Sequence, residues 1–519
     1  MTTLICSGGS GTRVLEAVLH LCAAGLGPPK LRLLVIDPDS ANGNGARTRK
    51  LLNSYDKCQK AFGNKTGGLP FFQTELDLLP TEGGDKGLKT WSPVAPNQTL
   101  RDVLNYALLT PLQKDIVHLL FADEELEMPL KVGFKGHPSI GAATMALLSL
   151  YREQQPWKQL DEKIRGEVTE TDGSAVMIAG SVFGGTGASV FHPLARFLRS
   201  IPKQNADRLK IGAVALVPYF RFEQSTLSQS VGAQAAAAKS EWFALATRSA
   251  AEFYDHLRQN DTQGFEAMYW LGDDSPMQVK YSDGDEYQVN PAHVVDLLAG
   301  IACLDFLKSQ PNTQACNYAG PRESSEEELK KRNVVCWEDI PLSAMDRDVL
   351  RTRLLTFYLV GAAHLGFFQP LFKDPRADHQ PFCIPWYLDR FAGRGDYFGT
   401  PENQDQMQMI SEFFSQSHLP WWKQIHDTDL DRIRLFNRTA MRPSSNDGVV
   451  IDMFHLANLL REPSNAVTAD KVDRFFADVV AESAKAGEQR GVPGYLAHMG
   501  RAAERFVQRE YKKMGVANA

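Results

Sequence analysis

Short apolar runs closed by glycine, proline or aspartate dominate the first half of the chain. Residues 3–6 (Thr-Leu-Ile-Cys) predict a strand. After a glycine turn, Val14, Leu15, Val18, Leu19 and Leu21 recur at helical spacing. Residues 31–36 predict a second strand, which Asp37-Pro38-Asp39 closes. Strand, helix and strand in that order predict a parallel sheet with helices on both faces. The alternation continues with strands over 175–179 and 211–217 and a helix over 190–200 between them. An alanine-rich stretch at 230–258 predicts a helix and 267–271 a short strand. A strongly apolar helix is predicted over 291–307, opened by Pro291 where helix geometry favours proline.

Two stretches interrupt this pattern. Residues 53–100 are rich in Gly, Pro, Thr and Lys without periodicity, and read as a surface insertion or partly ordered loop. Residues 311–333 are polar and charged and read as a loop or boundary. Beyond about 345, helical periods take over at 349–368, 403–416, 451–461, 468–486 and 494–513. The expected organisation is an α/β domain over 1–290, a central helix and following loop over 291–344, and a mostly α-helical C-terminal domain over 345–519.

A chain of 519 residues is too long for one compact core, which agrees with such a division. The formal charge of −6 is carried by both signs spread along the chain, so no nucleic acid or membrane partner is expected. The N-terminus has no basic segment or cleavage site of a secretory signal, and no apolar run reaches bilayer length, so a cytoplasmic protein is expected. The cysteines are scattered, with no CxxC or Cys/His cluster; they read as reduced thiols and offer no metal site.

Candidate chemistry lies in two glycine turns. Ser7-Gly8-Gly9-Ser10-Gly11-Thr12 joins the first strand to its helix. Glycines let backbone N–H groups approach an anion, and the helix N-terminus adds partial positive charge. The dinucleotide fingerprint fails at Val14, where Gly or Ala is required, and no Gly-Lys-Ser/Thr ending marks a Walker loop. A second turn, Gly180-Ser181-Val182-Phe183-Gly184-Gly185-Thr186-Gly187-Ala188-Ser189, again joins an apolar strand to a helix. Two such turns on parallel strands share the carboxyl edge, where open α/β sheets bind ligands.

The run from Phe183 to Ser189 resembles the tubulin signature loop, written GGGTGTG or GGGTGSG, with Phe183 at the first glycine and Ala188 at the next Thr/Ser. Gly8 to Thr12 resembles the first nucleotide loop of that family. Gly133-Phe134-Lys135-Gly136-His137-Pro138-Ser139-Ile140-Gly141 resembles the FtsZ loop GAGANPEIG, and Pro218-Tyr219-Phe220-Arg221-Phe222-Glu223 resembles PFxFE with one extra residue. Over roughly residues 1–340 the chain resembles the tubulin/FtsZ superfamily, and within it the divergent bacterial tubulin-like proteins. The resemblance implies a tubulin/FtsZ-like Rossmann-type sheet with a central helix that binds GTP/GDP with Mg²⁺. It places Gly8, Gly9, Ser10, Gly11 and Thr12 at the first phosphates and Gly184, Gly185, Thr186 and Gly187 at the β/γ phosphates. It places Gly136 and His137 near the γ-phosphate, and Glu223 on the ribose. Backbone donors can hold a polyphosphate without a lysine, and Mg²⁺ offsets phosphate charge. Asp37 is open between ribose, base, a metal-bound water and a simple strand-end turn. Asn290 or Asp273 stands in for the asparagine that FtsZ uses on the base.

The family hydrolyses GTP with an acidic loop after the central helix, NxDxxD in FtsZ, which reaches the next subunit's nucleotide. The best match is Asn333-Val334-Val335-Cys336-Trp337-Glu338-Asp339, with Asn333, Glu338 and Asp339 as catalytic candidates and Val335 replacing the middle aspartate. Carboxylates suit the positioning of an attacking water. Asp296 and Asp305 on the helix are alternatives but read as a solvated face. The resemblance implies self-association head to tail into an oligomer or filament, with the helical C-terminal domain free for another protein. Two alternatives stay open: a nucleotide-binding scaffold or regulator that does not polymerise, and a Rossmann-type enzyme using NAD or adenylating a substrate.

Overall fold

The computed structural model describes residues 2–63, 70–80, 90–95, 97–131, 133–134, 136–170, 173–223, 240–260, 264–273, 276–280, 285–309, 337, 340, 342, 344–369, 400–428, 435, 441–443, 449–451, 475, 477–482 and 491–513. Strands β1 (Thr2–Ser7), β2 (Lys30–Ile36), β3 (Glu75–Leu78), β4 (Thr90–Trp91), β5 (Ser174–Ser181) and β6 (Leu209–Leu216) are followed by β7 (Phe220–Phe222), β8 (Ala267–Leu271) and β9 (Met277–Val279). The main sheet runs β3-β2-β1-β5-β6-β8, with β4 continuing the pairing along β2. Every pairing in it is parallel. β7 and β9 form a separate parallel pair beside it.

The order explains where a ligand would sit. From β1 the chain winds one way through β2 and β3, then returns to add β5, β6 and β8 on the other side of β1. Between β1 and β5 the winding reverses, and the loops leaving their carboxyl ends diverge to opposite faces and open a crevice. β5 is buried at all eight positions, as a central parallel strand covered on both faces must be.

The helices follow from the same need for cover. α1 (Gly8–Ala23) leaves β1 directly and α2 (Gly43–Phe62) follows β2. The short helices α3 (Leu100–Val103), α4 (Pro111–Leu120), α5 (Asp123–Leu126) and α6 (Pro138–Met145) build a small separate apolar cluster around Val117, Phe121, Phe134 and Ile140. α7 (Trp157–Glu170) precedes β5, α8 (Gly185–Arg199) follows it, and α9 (Ser240–Gln259) precedes β8. α10 (Val294–Ser309) lies against α1, where Gly300 makes room: a Cβ there would sit 3.0 Å from that of Ala17. Its cap is built by His293, whose Nδ1 accepts from the Val295 amide at 3.2 Å while its own amide donates to Asp296 at 2.9 Å. The helix therefore starts three residues after Pro291.

Beyond 344 the described residues are mostly helical: α11 (Ala344–Ala363), α12 (Pro401–Phe413), α13 (Leu419–Thr428) and α14 (Gly491–Lys513), with one small hairpin of β10 (Met441–Pro443) and β11 (Val449–Ile451). These helices share a core with α1 and α2. Phe357, Phe413 and His418 meet Phe72 and His20 in ring-to-ring contact. Trp421 and Trp422 are buried there, as core aromatics.

The stretch 53–100 differs from the expected surface insertion. Residues 53–62 continue α2, and Tyr55, Cys58 and Phe62 on its inner face are fully buried. β3 then joins the sheet edge, and Phe71 and Phe72 enter the aromatic core. Glycines and lysines obscured this apolar spacing in the sequence. The helical patterns read at 451–461 and 468–486 fall largely outside the described residues.

Candidate functional site

β1 ends at Ser7 and passes directly into α1, and β5 ends at Ser181, with three residues before α8. Gly8 takes a φ of +68°, which a side chain would strain. A Cβ on it would lie 3.4 Å from that of Thr186, so the two glycine turns pack directly on each other. The Ser7 hydroxyl seals the join by donating to the Thr186 carbonyl at 3.3 Å. The third glycine-bearing loop closes over them. A Cβ on Gly185 would stand 2.9 Å from that of Phe134 and 3.0 Å from the Gly136 nitrogen.

These turns line one cleft, part of it open to solvent. Gly8, Gly9 and Ser10 form one wall; Gly184, Gly185, Thr186 and Gly187 form another; Gly133, Phe134 and Gly136 form a third. Asp37 and Asn290 also line it. Residues separated by most of the α/β region thus converge at the switch point of the sheet.

Five expected residues stand outside the lining. Gly11 is a packing residue: a Cβ would meet the Ala179 carbonyl oxygen at 2.7 Å, so its absence lets α1 sit on β1 and β5. Thr12 donates its hydroxyl to the Gly9 carbonyl at 2.8 Å and faces a small crevice shared with Asp37. His137 is turned to Glu125, with Nδ1 at 2.9 Å from the carboxylate. Glu223 closes β7 on β9 through its amide, 2.9 Å from the Val279 carbonyl, while its neighbour Phe222 reaches the cleft. Asp273 stands 3.8 Å from His293 and does not line the cleft. Asn333, Glu338 and Asp339 lie outside the described residues.

Several cleft residues were not anticipated. Asn42, Asn44 and Gln288 form an amide cluster at the edge. Asn42 donates to Gln288 and caps α2 by accepting from the Asn44 and Gly45 amides at 3.0 and 3.3 Å. Asn44 in turn accepts from the Asn290 amide at 2.9 Å. The sequence signal was the Asn-Gly-Asn-Gly run after the second strand. Phe183, Phe220, Phe222 and Phe243 supply an aromatic side, with ring centroids 4.8 to 6.1 Å apart. A base stacks favourably on such a surface.

Two carboxylates and one guanidinium set the electrostatics. Asp37 is buried, and its Oδ1 accepts from the Asp39 amide at 3.1 Å. Burial, reinforced by the Asp39 carboxylate, pushes the Asp37 carboxyl up to about 8. Arg13, from the second turn of α1, is fully enclosed at the cleft wall. Its Nη2 donates to Asp296 at 2.7 Å and to the Pro291 carbonyl at 2.8 Å. Asp296 also accepts from the Tyr219 hydroxyl at 2.9 Å. Burial opposes the charge on Arg13, but Asp296 and Tyr219 outweigh it and hold its pKa above the ordinary value. Asp296, expected on a solvated face, is therefore a buried partner. The missed signal was Arg13, Glu16 and His20 on an otherwise apolar helix; each finds a partner, Glu16 in half-buried Arg47 at 2.6 and 2.8 Å.

Comparison with known proteins bears on the α/β half. Residues 139–306, from α6 into α10, match the family model described as tubulin like. None of the curated proteins matches the chain. Among solved structures, CetZ2 from Haloferax volcanii, in a GTPγS-bound protofilament, aligns with a TM-score of 0.27 at 11% identity. That alignment covers 64% of this chain and 62% of the CetZ2 chain, less than two thirds of its length.

Proposed function

We propose that the cleft binds a guanine nucleotide, with its phosphates against the two glycine turns. The observation that carries this reading is the direct packing of Gly8 on Thr186 at the sheet's switch point. It sets the N-termini of α1 and α8 side by side, and both helix dipoles favour an anion there. A dinucleotide enzyme would use the first turn and leave the second unexplained. The tubulin-like family match over 139–306 contains the second turn and supports the same reading.

A divalent cation fits this cleft. Asp37 and Asp39 both line it, and hard oxygen donors suit Mg²⁺. When bound, the ion would offset charge between phosphates; Asp37 and Asp39 are the residues that would face it or its waters. The chain's own groups do the remaining work: glycine amides orient the phosphates, and the Phe220 side excludes water from the base.

From the resemblance we extend the proposal to head-to-tail self-association with the nucleotide between subunits, and to GTP hydrolysis. In hydrolysis, water adds to the γ-phosphorus and the bond to the β-γ bridging oxygen breaks, giving GDP and phosphate. The residues assigned to position that water are Asn333, Glu338 and Asp339. Exposed Leu112, Ile116 and Leu119 on α4, beside the loop bearing Gly133 and Gly136, supply apolar surface of the kind association covers. Light scattering and phosphate release, recorded together after adding GTP and Mg²⁺ to the full chain, test this. Rising scatter with phosphate release supports assembly and turnover. Constant scatter with saturable binding would leave a nucleotide-binding protein that does not polymerise.

A further inference from the structure

Arg13 holds two nitrogens that its neighbours leave unused. Nη2 is committed to Asp296 and the Pro291 carbonyl, whereas Nε and Nη1 are buried and meet no hydrogen-bond acceptor. A buried charged donor without an acceptor is costly, so unmet donors in a cleft wall mark where acceptors of a ligand belong. Asp296 cannot serve the ligand in turn. One oxygen takes the Arg13 and His293 N–H groups and the other takes the Tyr219 hydroxyl. At this point the cleft offers donors.

The position separates this point from the phosphate end. Gly185 and Gly187 pack among Phe134, Gly136 and Ser181. Arg13 lies a turn further along α1, against Pro291, Asp296 and the Tyr219 ring, 5.2 Å from its centroid.

We propose that Arg13 selects the base, its Nη1 donating to the 6-oxo group of guanine. Adenine puts an amino donor in the same place, which would set donor against donor. The inference rests on the reading of the cleft as a nucleotide site.

The test is a binding panel on the full chain: GTP, ITP, ATP and 2-aminopurine riboside triphosphate, each with Mg²⁺, by calorimetry. ITP keeps the 6-oxo group and lacks the 2-amino group; the 2-aminopurine compound has the reverse. GTP and ITP should bind alike, and the other two about ten- to a hundredfold more weakly, the worth of one hydrogen bond to a charged group. A double variant, Arg13→Met with Asp296→Leu, removes the pair without stranding a charge and should bind all four alike. Equal affinity of the wild-type chain for GTP and ATP would overturn the role of Arg13 and leave the phosphate site standing. Failure of all four to bind would overturn the nucleotide reading itself.

Discussion

The Ser7 hydroxyl donates to the Thr186 carbonyl oxygen at 3.3 Å, tying the two glycine turns into one surface. Gly8 stands between them at a φ of +68°. Gly8→Ala should cost about 1–2 kcal/mol of stability through the left-handed backbone alone. It should also weaken nucleotide binding, because the new methyl lies at Thr186. Chemical denaturation and calorimetry on the same protein separate the two effects.

The Arg13–Asp296 pair predicts a thermodynamic asymmetry. Asp296→Leu alone strands a buried guanidinium and should cost about 3–5 kcal/mol, whereas Arg13→Met with Asp296→Leu should recover most of that. Urea denaturation of the single and double variants measures it. Equal losses in both would mean that the pair contributes no more than volume.

The buried histidines predict acid sensitivity. His364 sits between Tyr495 at 3.0 Å and Ser411 at 2.7 Å, and His418 between Trp422 and His20, each at 3.2 Å. Trp422 donates to His418 Nε2, so in the neutral ring Nδ1 carries the proton and donates to His20. Burial pushes His364 and His418 down to about 3, from 6.5 in the unfolded chain. Below 6.5 the unfolded state takes up protons that the folded state refuses. Stability is thus full above that pH and falls toward 3, by up to about 1.4 kcal/mol per pH unit per histidine. Denaturation midpoints between pH 7 and 4 should fall monotonically, and His364→Asn should flatten the slope.

Asp37 predicts a pH effect of the opposite sense on binding. Its carboxyl, raised to about 8, is neutral at pH 7 and ionises above 8, adding a negative charge to the cleft. Without divalent cations, GTP affinity should therefore fall between pH 7 and 9, and Asp37→Asn should abolish the fall. Calorimetry in chelator across that range checks both.

How far the sequence carried this picture depended on whether a residue's role is local. The strands, the two glycine turns and the apolar run of α10 announce themselves through short-range spacing, and they appear close to where the pattern put them. Gly8, Ser10 and Gly185 meet in one cleft because they follow the parallel strands β1 and β5, which the alternation implied, and Gly136 reaches it from the loop between α5 and α6. Gly11 and Glu223 share those motifs, yet neither lines the cleft. What was not legible depends on long-range partners. Arg13 and Asp296 look like ordinary helix charges until α1 and α10 are packed together. Residues 53–62 look irregular until Tyr55, Cys58 and Phe62 are seen on one buried face. The helices after 344 showed their period clearly, but nothing in that period revealed that Phe357 and Phe413 share a core with Phe72.

The most direct test of the account is equilibrium binding of GTP with Mg²⁺ to the full chain and to Gly185→Val. In the variant the added carbons collide with Phe134 and Gly136 and fill the space between the turns. Saturable binding to the wild-type chain and its loss in the variant, with circular dichroism unchanged, are the expected results. Undiminished binding to Gly185→Val, or no saturable binding of any nucleoside triphosphate to the wild-type chain, would contradict it.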